Sequence, residues 1–169
     1  MIRIANAPCS WGILEFDIKN NSNYKKVLDE IQESNYSGTE LGDYGFFPTN
    51  PEKLKKELKN RNLNLVGAFV PIPLSKKENH EKGIKKALKI SHLMQKAGFS
   101  DSLIVLSDDN CTIKERTNNS GRITNNMKLS KKEKLTFTQG ANKIAEKVLS
   151  KYDLKTCLLY TSPSPRDRG

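Results

Sequence analysis

Leu63-Asn64-Leu65-Val66-Gly67-Ala68-Phe69-Val70-Pro71 is a nearly continuous apolar run, and it decides the class of the fold. A strand with one face in water alternates apolar and polar residues. A run apolar at almost every position belongs to a strand buried on both faces, as in a parallel sheet. Pro71 and Pro73 end it. Working outward, Leu103 to Leu106 is a second buried strand, closed by Ser107-Asp108-Asp109, and Gly38 to Leu41 and Ile2 to Ala7 are shorter ones. Asp153 to Thr156 would begin a fifth.

Helical stripes lie between these strands. Tyr24, Val27, Leu28 and Ile31 recur at i, i+3, i+4, i+7. Leu54 and Leu58 follow Pro51, with Thr49 or Asn50 placed to cap. Ile84, Ala87, Leu88 and Met94 mark a helix from about Glu81 to Lys96, with Gly98 at its C-cap. After a long polar stretch from Asn110 to Ser130, Ala141, Ile144, Ala145, Val148, Leu149 and Tyr152 mark a fourth helix. The order βαβαβαβα implies parallel strands joined by right-handed crossovers. Periodicity leaves two architectures open, half of a closed barrel or an open doubly wound sheet. The first βα turn has no Gly-rich dinucleotide fingerprint, which favours the barrel.

The chain has 169 residues, below the roughly 200 that a complete eight-fold barrel needs. Its net charge is +10, carried largely by helix-surface lysines such as Lys53, Lys55, Lys56 and Lys59, within a sequence rich in asparagine (Asn118, Asn119, Asn125, Asn126). No run interleaves arginines with aromatics, so a solvated surface is expected and a nucleic-acid partner is not. The three cysteines, Cys9, Cys111 and Cys157, fit no disulfide or metal framework. That usage, with no signal-peptide pattern and no membrane-spanning window, sets the expectation of a cytoplasmic protein without a membrane partner.

Three blocks stand at strand ends: Ala5-Asn6-Ala7-Pro8-Cys9-Ser10-Trp11-Gly12, Tyr36-Ser37-Gly38-Thr39-Glu40-Leu41-Gly42, and Leu65 to Pro71. Together they resemble the xylose isomerase-like barrels, in particular the inosose dehydratase and sugar phosphate isomerase/epimerase branch. The resemblance runs from Ile2 to about Thr156. It implies an α/β fold, the N-terminal half of a (β/α)8 TIM barrel with about four βα units. It also implies a site at the C-terminal ends of the strands, and metal-dependent isomerase, epimerase or dehydratase chemistry on a sugar or cyclitol. In such a family a divalent ion (Mn, Co or Mg), held near the fifth to eighth strands, stabilises an enediolate. No ligand position can be carried over to this chain, so catalytic residues and metal ligands are expected beyond it.

The substrate-binding candidates are Asn6, Trp11, Glu40, Phe69 and Asp108. Each has a plainer reading: Trp11 as a plug, Glu40 as a backbone anchor, Asp108 as a turn residue. Arg116 and Arg122 read as loop charges that could also grip an anion, Cys9 as a packing residue, and His92 as a surface residue beside Lys85, Lys89 and Lys96. An endonuclease IV-type nuclease shares the barrel, but its zinc-binding histidines are missing after the third and fourth strands. A non-catalytic half-barrel is the third alternative.

Cys157 to Asp167, CLLYTSPSPRD, resembles the translation of a transposase adapter used in library preparation. The expectation is therefore a partial barrel over 1–156 and a non-native, disordered tail over 157–169. Such a piece would lack activity and would self-associate through its open strand edges.

Overall fold

The computed structural model describes residues 3–13, 23–108, 114–119, 122 and 124–159. The strands are β1 (Ala5–Asn6), β2 (Gly38–Glu40), β3 (Asn64–Pro71), β4 (Leu103–Ser107) and β5 (Lys155–Leu158). The helices are α1 (Tyr24–Glu33), α2 (Pro51–Lys59), α3 (His80–Lys96), α4 (Lys114–Asn118) and α5 (Lys131–Tyr152). Each strand pairs in parallel with the next in sequence, giving the order β1-β2-β3-β4-β5.

That order settles the question the sequence left open. A doubly wound sheet reverses its strand order at a switch point, placing helices on both faces. Here the order never reverses, so right-handed crossovers put every helix on one side. The faces of the sheet differ accordingly. Thr39, Leu65, Ala68, Val70, Ile104 and Leu106 are buried under the helices, whereas Val66 and Leu103 are each 37% exposed on the other face. The sheet is also curled. Ala7 follows β1 and Leu159 follows β5, and four strand spacings in a flat sheet would separate them by roughly 19 Å. Both line a single cavity. The fold is α/β, and the sheet is an arc of a barrel.

Local chemistry explains the elements. The Asn50 side chain caps α2 by accepting from the Lys53 amide at 3.0 Å, with Pro51 in the first turn. The apolar stripe of α5 covers only its second half. Its start is fixed by a capping box in which Ser130 and Glu133 satisfy each other's backbone amides. α3 and α5 pack against each other. Between them the buried His80 ring holds the Leu74 carbonyl at 2.9 Å and lies where a Cβ on Gly140 would collide with it. No described helix is long and apolar enough to cross a membrane.

One expectation is corrected. β1 is two residues long where a strand from Ile2 to Ala7 was expected. The polar stretch between β4 and the last long helix contains the short helix α4 and a 3-10 turn at Asn125–Met127. The strand β5 crosses the expected boundary at 156/157. β5 continues through Cys157 and Leu158, and the Leu159 amide donates to the Leu106 carbonyl at 3.0 Å. A parallel ladder reads backbone, not side-chain identity, so any apolar, extended Cys-Leu-Leu beside the β4 edge completes it. Residues 160–169 lie outside the described residues.

Two outcomes are expected. A Cβ on Gly38 would stand 2.9 Å from the Asn64 carbonyl oxygen and 3.1 Å from Val66, and backbone does not yield cheaply. Gly38→Ala is therefore expected to lower stability by about 1–3 kcal/mol in denaturant unfolding; an unchanged midpoint would show that β2 and β3 can separate. Among the described residues β1 and β5 each have one unpaired edge, and the face carrying Val66 and Leu103 is uncovered. Size-exclusion chromatography is expected to show dimers or larger species, and a monodisperse monomer at high concentration would contradict this.

Candidate functional site

The arc brings the C-terminal ends of its strands together around a cavity of 290 Å³ lined by Ala7, Cys9, Ile13, Glu40, Gly42, Asp43, Phe69 and Leu159. This volume sits at the lower end of small-molecule sites. The walls are mostly apolar, and the two carboxylates, Glu40 and Asp43, are its charged groups. Glu40 ends β2, facing inward by the alternation that sends Thr39 outward to full burial. Gly42, at φ +65°, makes the left-handed turn that swings Asp43 to the cavity, and a Cβ there would press on Pro8 at 3.0 Å. Phe69, on β3, gives the cavity an aromatic wall.

Burial pushes the Glu40 carboxyl above its ordinary value. Among the described residues it has no hydrogen-bond or ion-pair partner, so nothing offsets the loss of water. Asp43 is also pushed up by burial, and the Lys86 ammonium opposes that rise. The Cys157 thiol on β5 is raised by burial and then by the Glu40 carboxylate. Glu40 and Cys157 sit on strands three places apart, so their mutual influence is a further sign of the sheet's curl.

The structure divides the five candidates. Glu40 and Phe69 line the cavity. Asn6 does not: its Oδ1 accepts from the Ala7 amide and the Ser10 hydroxyl, both at 2.8 Å, and so pins the 3-10 turn Pro8–Trp11. Trp11 stands edge-on to Tyr36 with ring centroids 6.3 Å apart, away from the cavity lining. Asp108 Oδ1 accepts from the Leu74 amide at 3.0 Å, tying the loop after β3 to the end of β4, and it lines a neighbouring groove beside α5. Asp109 and the Arg116 side chain lie outside the described residues, and Arg122 is exposed. His92 is exposed and stacks edge-on against Tyr152. Cys9 is exposed at the cavity rim. The sequence reading missed Asp43. The available signal was Gly42, a turn glycine two residues after the strand-end carboxylate Glu40.

Among the described residues no three His, Cys, Asp or Glu side chains gather so as to hold a metal ion. The described residues thus do not fit the divalent ion that the resemblance implies, and no step below runs through one.

No family model matches the chain. It is similar to the inosose dehydratase of Lactiplantibacillus plantarum, 29% identical over 161 residues, covering 89% of this chain and 50% of that protein. It is also similar to the inosose dehydratase of Salmonella typhimurium, 34% identical over 69 residues, which cover 40% of this chain and 22% of that one. The chain therefore spans half or less of the curated relatives it matches. Among solved structures, the 3-keto-D-glucoside 4-epimerase of E. coli superposes with a TM-score of 0.60 at 16% identity, covering 81% of this chain and 51% of that one. The probable 3-DHS dehydratase of Bacillus anthracis gives 0.59 at 14% identity, covering 93% and 52%. At these identities the superpositions establish the fold, a barrel arc matching about half of each neighbour.

The raised Glu40 carboxyl has a stability consequence. A carboxyl whose folded value lies above its unfolded one stabilises the fold below the unfolded value of about 4.3, and that contribution is lost as pH rises through the folded value. Above the folded value the ionised, unpartnered Glu40 is a net cost to the fold. Glu40→Gln is therefore expected to raise the melting temperature near pH 7 and to lose that advantage near pH 4. A Glu40→Gln chain less stable than wild type at pH 7 would mean that the carboxylate makes favourable bonds.

Proposed function

We propose that the chain forms the substrate-orienting half of a barrel enzyme acting on a sugar or cyclitol ketone, of the dehydratase, epimerase or isomerase type, with an inosose as the reference substrate. The observation that carries this reading is the partnerless Glu40 carboxylate in an apolar cavity at the strand ends. A half-buried carboxylate without a partner has lost part of its water without replacing it, and a polyhydroxylated ligand would offset that loss by donating hydroxyls to it. Phe69 offers an apolar face to a ring's C–H groups. Asp43, across the same cavity, gives a second acceptor. The relatives' names support the substrate class, and the barrel neighbours support the placement of the site at the strand ends.

The chemistry common to this class is proton transfer next to a carbonyl. A cavity with two carboxyls, each of which favours its neutral form more than in water, suits a group that gives or takes a proton. The divalent ion and its ligands belong to the proposal only as groups outside the described residues, and the chain by itself is expected to bind without turning over.

Titrating the chain with an inosose while recording amide and side-chain NMR spectra tests this. Perturbations are expected at Glu40, Asp43 and Phe69, with substrate unconsumed over the experiment. Glu40→Gln is expected to weaken binding about tenfold to over a hundredfold, the loss of a charged hydrogen bond of about 1.5–3 kcal/mol. Perturbations confined to another surface would overturn the placement of the site, and turnover by the chain would overturn the division of labour.

A further inference from the structure

Lys85, Lys89 and His92 recur at i, i+4 and i+7 and share one exposed stripe of α3. A groove of 560 Å³ runs over this stripe and takes in Tyr44, from the loop after β2, and Lys151 and Tyr152, from the end of α5. Its volume falls within the range of small-molecule sites. Among the described residues that line it there is no Asp or Glu. It shares no lining residue with the strand-end cavity.

The cations of this groove are held differently from those beside α1 and α2. There Lys25, Lys26 and Arg61 pair with Glu57, Glu30 and Asp29. Among the described residues Lys85, Lys89 and Lys151 make no ion pair. Instead the Lys89 Nζ stands 4.4 Å from the centre of the Tyr44 ring, and the Lys151 Nζ 5.6 Å from that of Tyr152. The His92 ring meets Tyr152 edge-on at 5.9 Å. An ion pair would cancel a lysine's charge, whereas an aromatic face steadies the ammonium through its quadrupole and leaves the charge whole. The groove thus gathers positioned cations that nothing on the chain neutralises. Four residues of helix advance about 6 Å, so Lys85 and Lys89 are set apart along the groove, and Lys151 adds a third charge from a second helix. A single anionic group would not meet all three.

From this arrangement we infer that the groove is a binding site for a small polyphosphate of the diphosphate class. The ammonium groups of Lys85, Lys89 and Lys151 bind its oxygens. His92 donates a ring N–H, which it has in either protonation form.

Inorganic pyrophosphate is the probe, titrated into the full chain at constant ionic strength and followed by isothermal calorimetry and amide NMR. Saturable binding is expected, with shifts gathered at Tyr44, Lys85, Lys89, His92 and Tyr152. Lys89→Gln and Lys151→Gln are each expected to weaken it about three- to tenfold. Tyr44→Leu keeps the net charge but removes the ring that steadies Lys89, and is expected to weaken binding as well. Lys56→Gln with Lys59→Gln removes two exposed charges of α2 outside the groove and is expected to leave the affinity nearly unchanged. An equal loss in that control, a titration that does not saturate, or shifts spread over all the helices would show pyrophosphate merely screening a chain of net charge +10, and would overturn the site. Single-stranded RNA that displaces pyrophosphate from the same residues at lower concentration would overturn the small-molecule assignment. The wild-type shift map stands even if a variant does not fold.

Discussion

Everything in this molecule depends on one constraint: each strand pairs, in parallel, with the strand that follows it in the chain. With right-handed crossovers that rule allows helices on one face only. A sheet covered on one face, with its native twist, curls toward the uncovered side. The curl carries Ala7 and Leu159 from opposite sides of a five-stranded sheet to one cavity. It gathers Glu40, Phe69 and the turn bearing Asp43 at the strand ends. The site is a consequence of topology before it is a matter of particular side chains.

The framework was legible because burial patterns are strong where burial is complete. The run from Leu63 to Val70 and the stripes of α1, α2 and α3 name their own partners, and Asn50 and Gly98 mark helix ends by chemistry that acts over three or four residues. Legibility failed where the deciding partner is distant. Asn6, Trp11 and Asp108 all sit near strand ends, which is what the sequence shows. Whether each faces the cavity is decided by Ser10, Tyr36 and Leu74, partners that sequence spacing does not reveal. β5 depends on a distant partner in the same way: its last residues pair along the free backbone edge of β4.

The two surviving candidates share a property that the three others lack. Asn6 and Asp108 have their polar atoms committed to the fold, and Trp11 has its ring packed against another aromatic. Glu40 and Phe69 have no comparable engagement. A carboxylate held in an apolar cavity with no donor works against the fold, whereas a hydrogen-bonded turn residue works for it. The polar groups left over once local hydrogen bonds are assigned are thus the ones available to a ligand. On that criterion Asp43 joins Glu40, with the turn glycine Gly42 beside it as its one local sign.

The layer of helices holds the strand ends in place as well as covering the sheet. α3 follows β3 and keeps Ile84 and Ala87 buried in the core, while the Lys86 Nζ on its exposed side donates to the carbonyl of Pro71, the last residue of β3, at 3.1 Å. Apolar contact alone would leave α3 free to slide along the sheet, since it has no direction; a hydrogen bond to a strand-end carbonyl has one. The outer layer thus supports the sheet through one face of α3 and fixes the end of β3 through another.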